Sequence, residues 1–291
     1  PPVFFLTLLL SSGDAVFHAR LDAIETALFG IPLEGFLRGG FVTLISGMIL
    51  TGILALASRR RDQVEPSVPR RALRSFESFA LLGTLTSLLL FFGITSTPCA
   101  LAPAACELPA GVTYADAAHE GFFQLLFAAI GILMLLMALP ARTQLDSKKT
   151  QLTFTALSTA LVLATMPMMI SGAARLWRYE AIYGLTVLRL LAYAGLVLVA
   201  AVLAWRALTL WAFKDSFVGG AIALFTTTML GLAALSPDAY IANQNVKREQ
   251  VDVSYLIMLS DDALPALAAA RERLPDPPYN TIAYVLEYRA N

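Results

Sequence analysis

Charge is scarce in this chain. Only 14% of its 291 residues are Asp, Glu, Lys or Arg, against about 25% in an ordinary soluble domain. The charge that is present balances, with 21 basic and 21 acidic residues, so there is no basic footprint for nucleic acid. Histidine and cysteine number two each. That excludes a Cys-rich zinc site and leaves too few imidazoles for an all-His metal site. No metal and no other cofactor is expected.

Charge is absent altogether from the longest apolar runs. Gly39–Ser58, Ser78–Thr97, Gly121–Leu139, Gln151–Gly172, Leu190–Trp205 and Ser216–Leu235 contain no Asp, Glu, Lys, Arg or His. About twenty apolar residues cross the hydrocarbon of a bilayer, and a water-soluble core almost never holds six uncharged runs of this length. Leu190–Trp205 is short by itself and is extended at its start, giving a span near 187–205. Val3–Leu10, broken only by Thr7, stops shortly before Asp14 and is read as the remnant of a further span near 3–12. The rival reading, the apolar stretch of a signal peptide, lacks a basic segment before it and a clear cleavage site after it. With 57% hydrophobic residues and a mean hydropathy of +0.68, the fold predicted is an all-α polytopic transmembrane bundle. It has about seven spans over residues 1–236 and a small helical tail over 237–291.

Basic residues orient the bundle. Arg59, Arg60, Arg61, Arg70, Arg71 and Arg74 follow the second span, Arg142, Lys148 and Lys149 the fourth, and Arg206 and Lys214 the sixth. The positive-inside rule places these links in the cytoplasm. Ser11–Arg38, Pro98–Glu120, Ala173–Arg189 and everything after Ser236 then lie outside. Arg175, Arg178 and Arg189 run against the bias, but the first link is the most basic. Both cysteines, Cys99 and Cys106, fall in one outer segment, TPCALAPAACELP. Its Pro and Ala content reads as a non-helical loop in an oxidising compartment, where a disulfide is expected; two free thiols would fit the inverted topology.

The polar residues able to carry chemistry gather at the outer face. Asp14 can cap a helix in which Phe17, Leu21, Ile24 and Leu28 recur at helical spacing before Gly30, an amphipathic element lying on the membrane or on neighbouring helices. His18 near its start reads as an interfacial side chain. In GVTYADAAHEGFF, Thr113 can cap a helix carrying Tyr114, Asp116, His119 and Glu120. Asp116 and Glu120 are i,i+4 neighbours and His119 is i+3 from Asp116, which admits a carboxylate–histidine pair for proton transfer or metal binding or simply a wet helix start where acids favour the dipole. Arg175, Arg178, Glu180 and Tyr183, with Trp177 and Tyr179, fit an aromatic belt at headgroup level; the arginines either snorkel or hold a lipid phosphate. Gly184 breaks the helix and Thr186 can cap the next. Pro167 interrupts the fifth span, and Gly219 and Gly220 open the last, where small residues let helices approach. In the polar tail, helical stretches are expected near Pro237–Arg248, Ser254–Leu259, Asp261–Arg273 and Tyr279–Arg289, with Ser260 or Asp261 as a cap. The tail is too short for a robust core of its own and is expected to pack on the outer loops.

Four phrases stand out together in order and spacing: GVTYADAAHEGFF, YGLTVLRLLA, SPDAYIANQNVKR and DVSYLIMLSDDALPAL. They resemble a bacterial family of polytopic membrane proteins known as a domain of unknown function, over roughly Phe76 to Leu267. The resemblance implies a multi-pass protein of the bacterial cell (inner) membrane with the same order of spans, and carries no activity or site residue with it. The reading that follows is a non-enzymatic scaffold or accessory subunit whose partners are the lipid bilayer and other membrane protein subunits. The alternative is an envelope enzyme acting on lipid-linked substrates through Asp116, Glu120, Arg175 or Arg178. A transporter ranks last, because transport sites leave ionisable groups at mid-membrane.

Overall fold

The computed structural model describes residues 2–29, 73–102, 114–212 and 216–271, with side chains left undescribed at Gly13, Ala15, 25–29 and 114–121. The expected span Gly39–Ser58, the arginines from Arg59 to Arg71, Cys106, Lys214 and the helix expected near Tyr279–Arg289 lie outside the described residues.

Among the described residues the chain is all helical apart from one isolated backbone bridge, Leu73 with Thr143. The helices are α1 (Pro2–Gly13), α2 (Ala15–Phe29), α3 (Ser75–Leu101), α4 (Tyr114–Ala138), α5 (Lys148–Tyr183), α6 (Val187–Trp211), α7 (Phe217–Ala234), α8 (Pro237–Asn245), α9 (Val253–Leu256) and α10 (Leu264–Ala270), with a 3-10 turn over Asp261–Ala263. Four of them, α3, α5, α6 and α7, are long and apolar enough to cross a membrane, while Pro2–Ser12 and Phe122–Ala138 are apolar but shorter. The described residues thus show four of the expected seven spans by length and composition, and the count of seven is not shown.

α5 is the central element. Ser147 caps it, its hydroxyl accepting from the Thr150 amide at 3.1 Å. Its 36 residues make a rod of about 54 Å at 1.5 Å per residue, well beyond the roughly 30 Å of hydrocarbon. The expected outer loop Ala173–Arg189 is therefore corrected: helix continues through Tyr183, because nothing in Ala173–Tyr183 breaks it before Gly184. α5 packs against α3, α4 and α6. At the crossing with α3, a Cβ on Gly93 would meet Pro167 at 3.0 Å, so the missing side chain lets the proline seat. The Thr97 hydroxyl donates to the Pro167 carbonyl at 3.2 Å, a second tie between α3 and α5 at the proline.

α3 also runs further than the sequence suggests. It includes Pro98 and Cys99 and ends at Leu101, so the cysteine segment begins as helix rather than loop. Pro98 sits in the last turn of this helix, where its missing N–H and its ring both act on the Ile94 carbonyl and little helix remains to be disrupted. α2 starts where expected: Asp14 caps it, Oδ1 accepting from the Phe17 amide at 2.9 Å. Phe17 is fully buried and meets Phe91 and Phe92 of α3 with ring centroids 5.7 and 5.3 Å apart. His18 bonds Ser11 at 2.7 Å and lies 3.3 Å from the Asp22 carboxylate, a local role.

At the opposite end, the links before α3 and between α4 and α5 are tied together. Leu73 donates to the Arg142 carbonyl at 2.6 Å, Gln144 donates to Leu73 at 3.0 Å, and the Ser78 and Thr143 hydroxyls lie 2.7 Å apart. Arg206, expected in the link beyond α6, is instead inside that helix and buried; its Nη2 donates to the Leu136 carbonyl at 2.9 Å. It thereby satisfies one of the orphaned carbonyls in the last turn of α4. α7 stands at the rim and carries no buried residue.

Candidate functional site

The end of the bundle opposite that basic junction is built around one sharp turn. α5 ends at Gly184, whose φ of +78° suits a residue without Cβ. A helix end leaves carbonyls without partners, and here two arginines take them up. Arg248 donates from Nη1 to Glu180 at 3.1 Å and from Nη2 to Ala181 and Ile182 at 2.6 and 3.1 Å. Arg189 donates from Nη1 to the carbonyls of Tyr183, at 3.2 Å, and Gly184, and its guanidinium lies 4.3 Å from the centre of the Tyr179 ring.

The start of α6 is closed as carefully. The Thr186 hydroxyl accepts from the Arg189 amide at 3.4 Å, as expected of a cap, and the Val187 amide donates to the Tyr255 hydroxyl at 2.9 Å. Between the helices, Asn245 is buried; its carboxamide accepts from the Leu185 amide at 2.9 Å and donates to the Leu185 carbonyl at 2.7 Å. The segment after α7 thus forms a cap on the α5–α6 turn. Its apolar side chains Ile241, Leu256, Leu259 and Leu267 bury against Leu185 and Leu190, so the tail shares a core with the turn, which explains how so short a segment stays packed. The cap is pinned internally by Asp238, which accepts from the Ser260 amide at 2.9 Å, and by Asp252, which accepts from Tyr255 at 3.0 Å. Ser260 stands at the N-cap of the following turn without a side-chain cap bond.

Between cap and turn lies a cleft of about 450 Å³ lined by Tyr183, Arg189, Arg248, Gln250, Asp252 and Tyr255 among others. Two guanidinium groups against one carboxylate leave its lining with one net positive charge.

The expected outer-face cluster is only partly assembled by the described residues. Arg175 is buried and pairs with Asp14, which is 1% exposed; the belt and lipid-phosphate readings of Arg175 are replaced by this ion pair between the α1–α2 corner and α5. Arg178 donates to the Ala100 carbonyl at the end of α3. Glu180 accepts from the Tyr193 hydroxyl at 2.7 Å. Tyr183 is exposed and packs on Tyr179 with centroids 4.7 Å apart. Tyr114, Asp116, His119 and Glu120 occupy the first two turns of α4, but their side chains lie outside the description, as does Cys106, the expected partner of Cys99. Among the described residues, no three His, Cys, Asp or Glu side chains come together.

Sequence reasoning missed Asn245, Arg248 and Tyr255 as individual residues. The signal was present: three of the four phrases that stood out, YGLTVLRLLA, SPDAYIANQNVKR and DVSYLIMLSDDALPAL, are the strands of chain that meet at this turn. The family described as "Domain of unknown function (DUF4153)" matches residues 1–270. No curated protein and no solved structure matches the chain.

Proposed function

The chain belongs to the DUF4153 family, and from that premise we propose that it is a multi-pass protein of the bacterial cell membrane acting as a non-enzymatic scaffold or accessory subunit of a membrane complex. The observation that carries this reading is that the described charged members of the outer-face cluster, Arg175, Arg178 and Glu180, all bridge one helix to another. Groups held in this way position elements instead of meeting a substrate. α7 supplies the complementary feature: an apolar helix of 18 residues with none buried, open to lipid or to a helix of another subunit.

The proposed topology has seven spans, counting 39–58, α1 and α4 beside the four long helices, with the junction of Arg74, Arg142 and Lys148 in the cytoplasm. The cap over the α5–α6 turn then faces outward, and Cys99 and Cys106 share the compartment in which a disulfide is favoured. A photo-crosslinking side chain placed at Ile222, Phe225 or Leu230, all exposed on α7, tests the scaffold role in native membranes. One discrete protein adduct from one of these positions is expected. Lipid adducts alone at all three would reject the accessory-subunit reading. The enzyme alternative rests on Asp116 and Glu120. Loss of cellular function in Asp116→Asn with Glu120→Gln, at normal protein level, would favour it.

A further inference from the structure

The cleft between the cap and the α5–α6 turn concentrates hydrogen-bond donors beside positive charge. Nη1 of Arg189 directs its hydrogens to the Tyr183 and Gly184 carbonyls, and the hydrogens on Nε and Nη2 take no part in those bonds; a guanidinium carries five in all. The Tyr255 hydroxyl accepts from Val187 and keeps its own proton to donate. Arg248, fixed by three carbonyls, adds charge that cannot swing away. Both guanidinium groups are therefore preorganised, which reduces the ordering cost of binding an anion.

The surroundings indicate what anion. The cleft sits at the ends of two membrane-length helices, α5 and α6, and its Ile182 and Tyr183 are exposed, as are Leu188 and Leu191 on the adjoining face of α6. A ligand with a polar anionic head and apolar chains meets both chemistries at once. The volume of about 450 Å³ lies within the range of small-molecule sites. One net positive charge in the lining matches the single negative charge of a phosphodiester. We propose that this cleft binds the phosphodiester headgroup of a membrane lipid, with Arg189 and Tyr255 donating to the phosphate and Arg248 supplying charge. This does not depend on the scaffold role, and it holds for either leaflet.

Gln250 gives a clean test, since it lines the cleft and is exposed. The full chain is purified, stripped of lipid and titrated in native mass spectrometry with three probes: phosphatidylglycerol, diacylglycerol with the same chains, and glycerol 3-phosphate. Phosphatidylglycerol is expected to bind best, and Gln250→Glu to weaken it about tenfold by like-charge repulsion, while Gln250→Lys does not, at unchanged thermal midpoints. Equal binding of phosphatidylglycerol by the wild type and Gln250→Glu, or diacylglycerol binding as tightly, would overturn the proposal. Glycerol 3-phosphate binding as tightly as the lipid, with the same Gln250→Glu sensitivity, would identify a soluble phosphate ester instead and reject the lipid.

Discussion

Asn245 bonds both polar groups of the Leu185 backbone, accepting from its amide at 2.9 Å and donating to its carbonyl at 2.7 Å. The carboxamide does for one residue what a neighbouring strand would do, at a turn where neither helix can supply partners. Both atoms are buried, so the pairing decides whether the cap stays on the turn. Asn245→Asp keeps the acceptor and loses the donor; Asn245→Ala loses both. An unsatisfied buried polar group costs about 1–3 kcal/mol. Both variants are expected to lower the thermal midpoint, and limited proteolysis is expected to release the segment after Ser236 while α3–α6 stay intact. Unchanged proteolysis would show that the apolar contacts of Ile241 and Leu256 hold the cap alone.

The Asp14–Arg175 pair joins residues 161 positions apart and locks the α1–α2 corner to α5. Breaking a buried pair by removing one partner strands the other charge and costs about 3–5 kcal/mol. Asp14→Asn is expected to destabilise less than Asp14→Leu, because the amide can still cap α2 through the Phe17 amide. Arg175→Met alone is expected to be severe, and the double variant Asp14→Asn with Arg175→Met to recover part of the loss. Thermal unfolding of the four proteins forms a cycle, and strictly additive losses would mean the two groups do not interact.

What could be read from the sequence follows period and length. The runs behind α3, α5, α6 and α7 announce themselves because hydrocarbon demands about twenty apolar residues, and Asp14, Gly184 and Thr186 are local signals that act on their own neighbours. What escaped is non-local. Nothing near Arg175 in the chain points to Asp14, so an arginine beside aromatics reads as an interfacial anchor. Nothing near Asn245 points to Leu185. The helical stretch Ala173–Tyr183 is not legible from hydropathy, which marks only the apolar part of a span, whereas α5 continues through Tyr183 where tertiary partners accept its polar end.

Gly220 and Trp205 make a third test, at the contact of α7 with α6. A Cβ on Gly220 would lie 2.1 Å from the indole Nε1 of Trp205, and that nitrogen donates to the Phe217 carbonyl at 3.2 Å. Gly220→Ala is expected to displace the ring and break this bond, at an overpacking cost of about 1–3 kcal/mol. Gly219, where an added Cβ meets nothing within 4 Å, is the control: Gly219→Ala is expected to be near neutral. Trp205→Phe in the Gly220→Ala background should restore part of the loss in thermal midpoint. Equal effects of the two alanine substitutions would remove the argument for close approach at Gly220.

The proposed orientation can be separated from the fold by labelling. Leu73, Arg142 and Gln144 bring the links before α3 and α5 to one end, while Asn245 and Arg248 bring the tail to the turn that ends α5. α5 connects the two, so the junction and the cap belong on opposite sides of a membrane that α5 crosses. Arg74, Arg142, Lys148 and Lys149 concentrate basic residues at the junction, which the positive-inside rule keeps in the cytoplasm. Single cysteines at Ser254 and at Asp146, both exposed, in a background with Cys99 and Cys106 replaced by serine, report the two ends. A membrane-impermeant maleimide added to intact spheroplasts is expected to label the Ser254 site and to reach the Asp146 site only after lysis. The reverse pattern would invert the proposed topology and leave the packing unchanged. Labelling of both sites before lysis would mean that α5 does not cross the membrane.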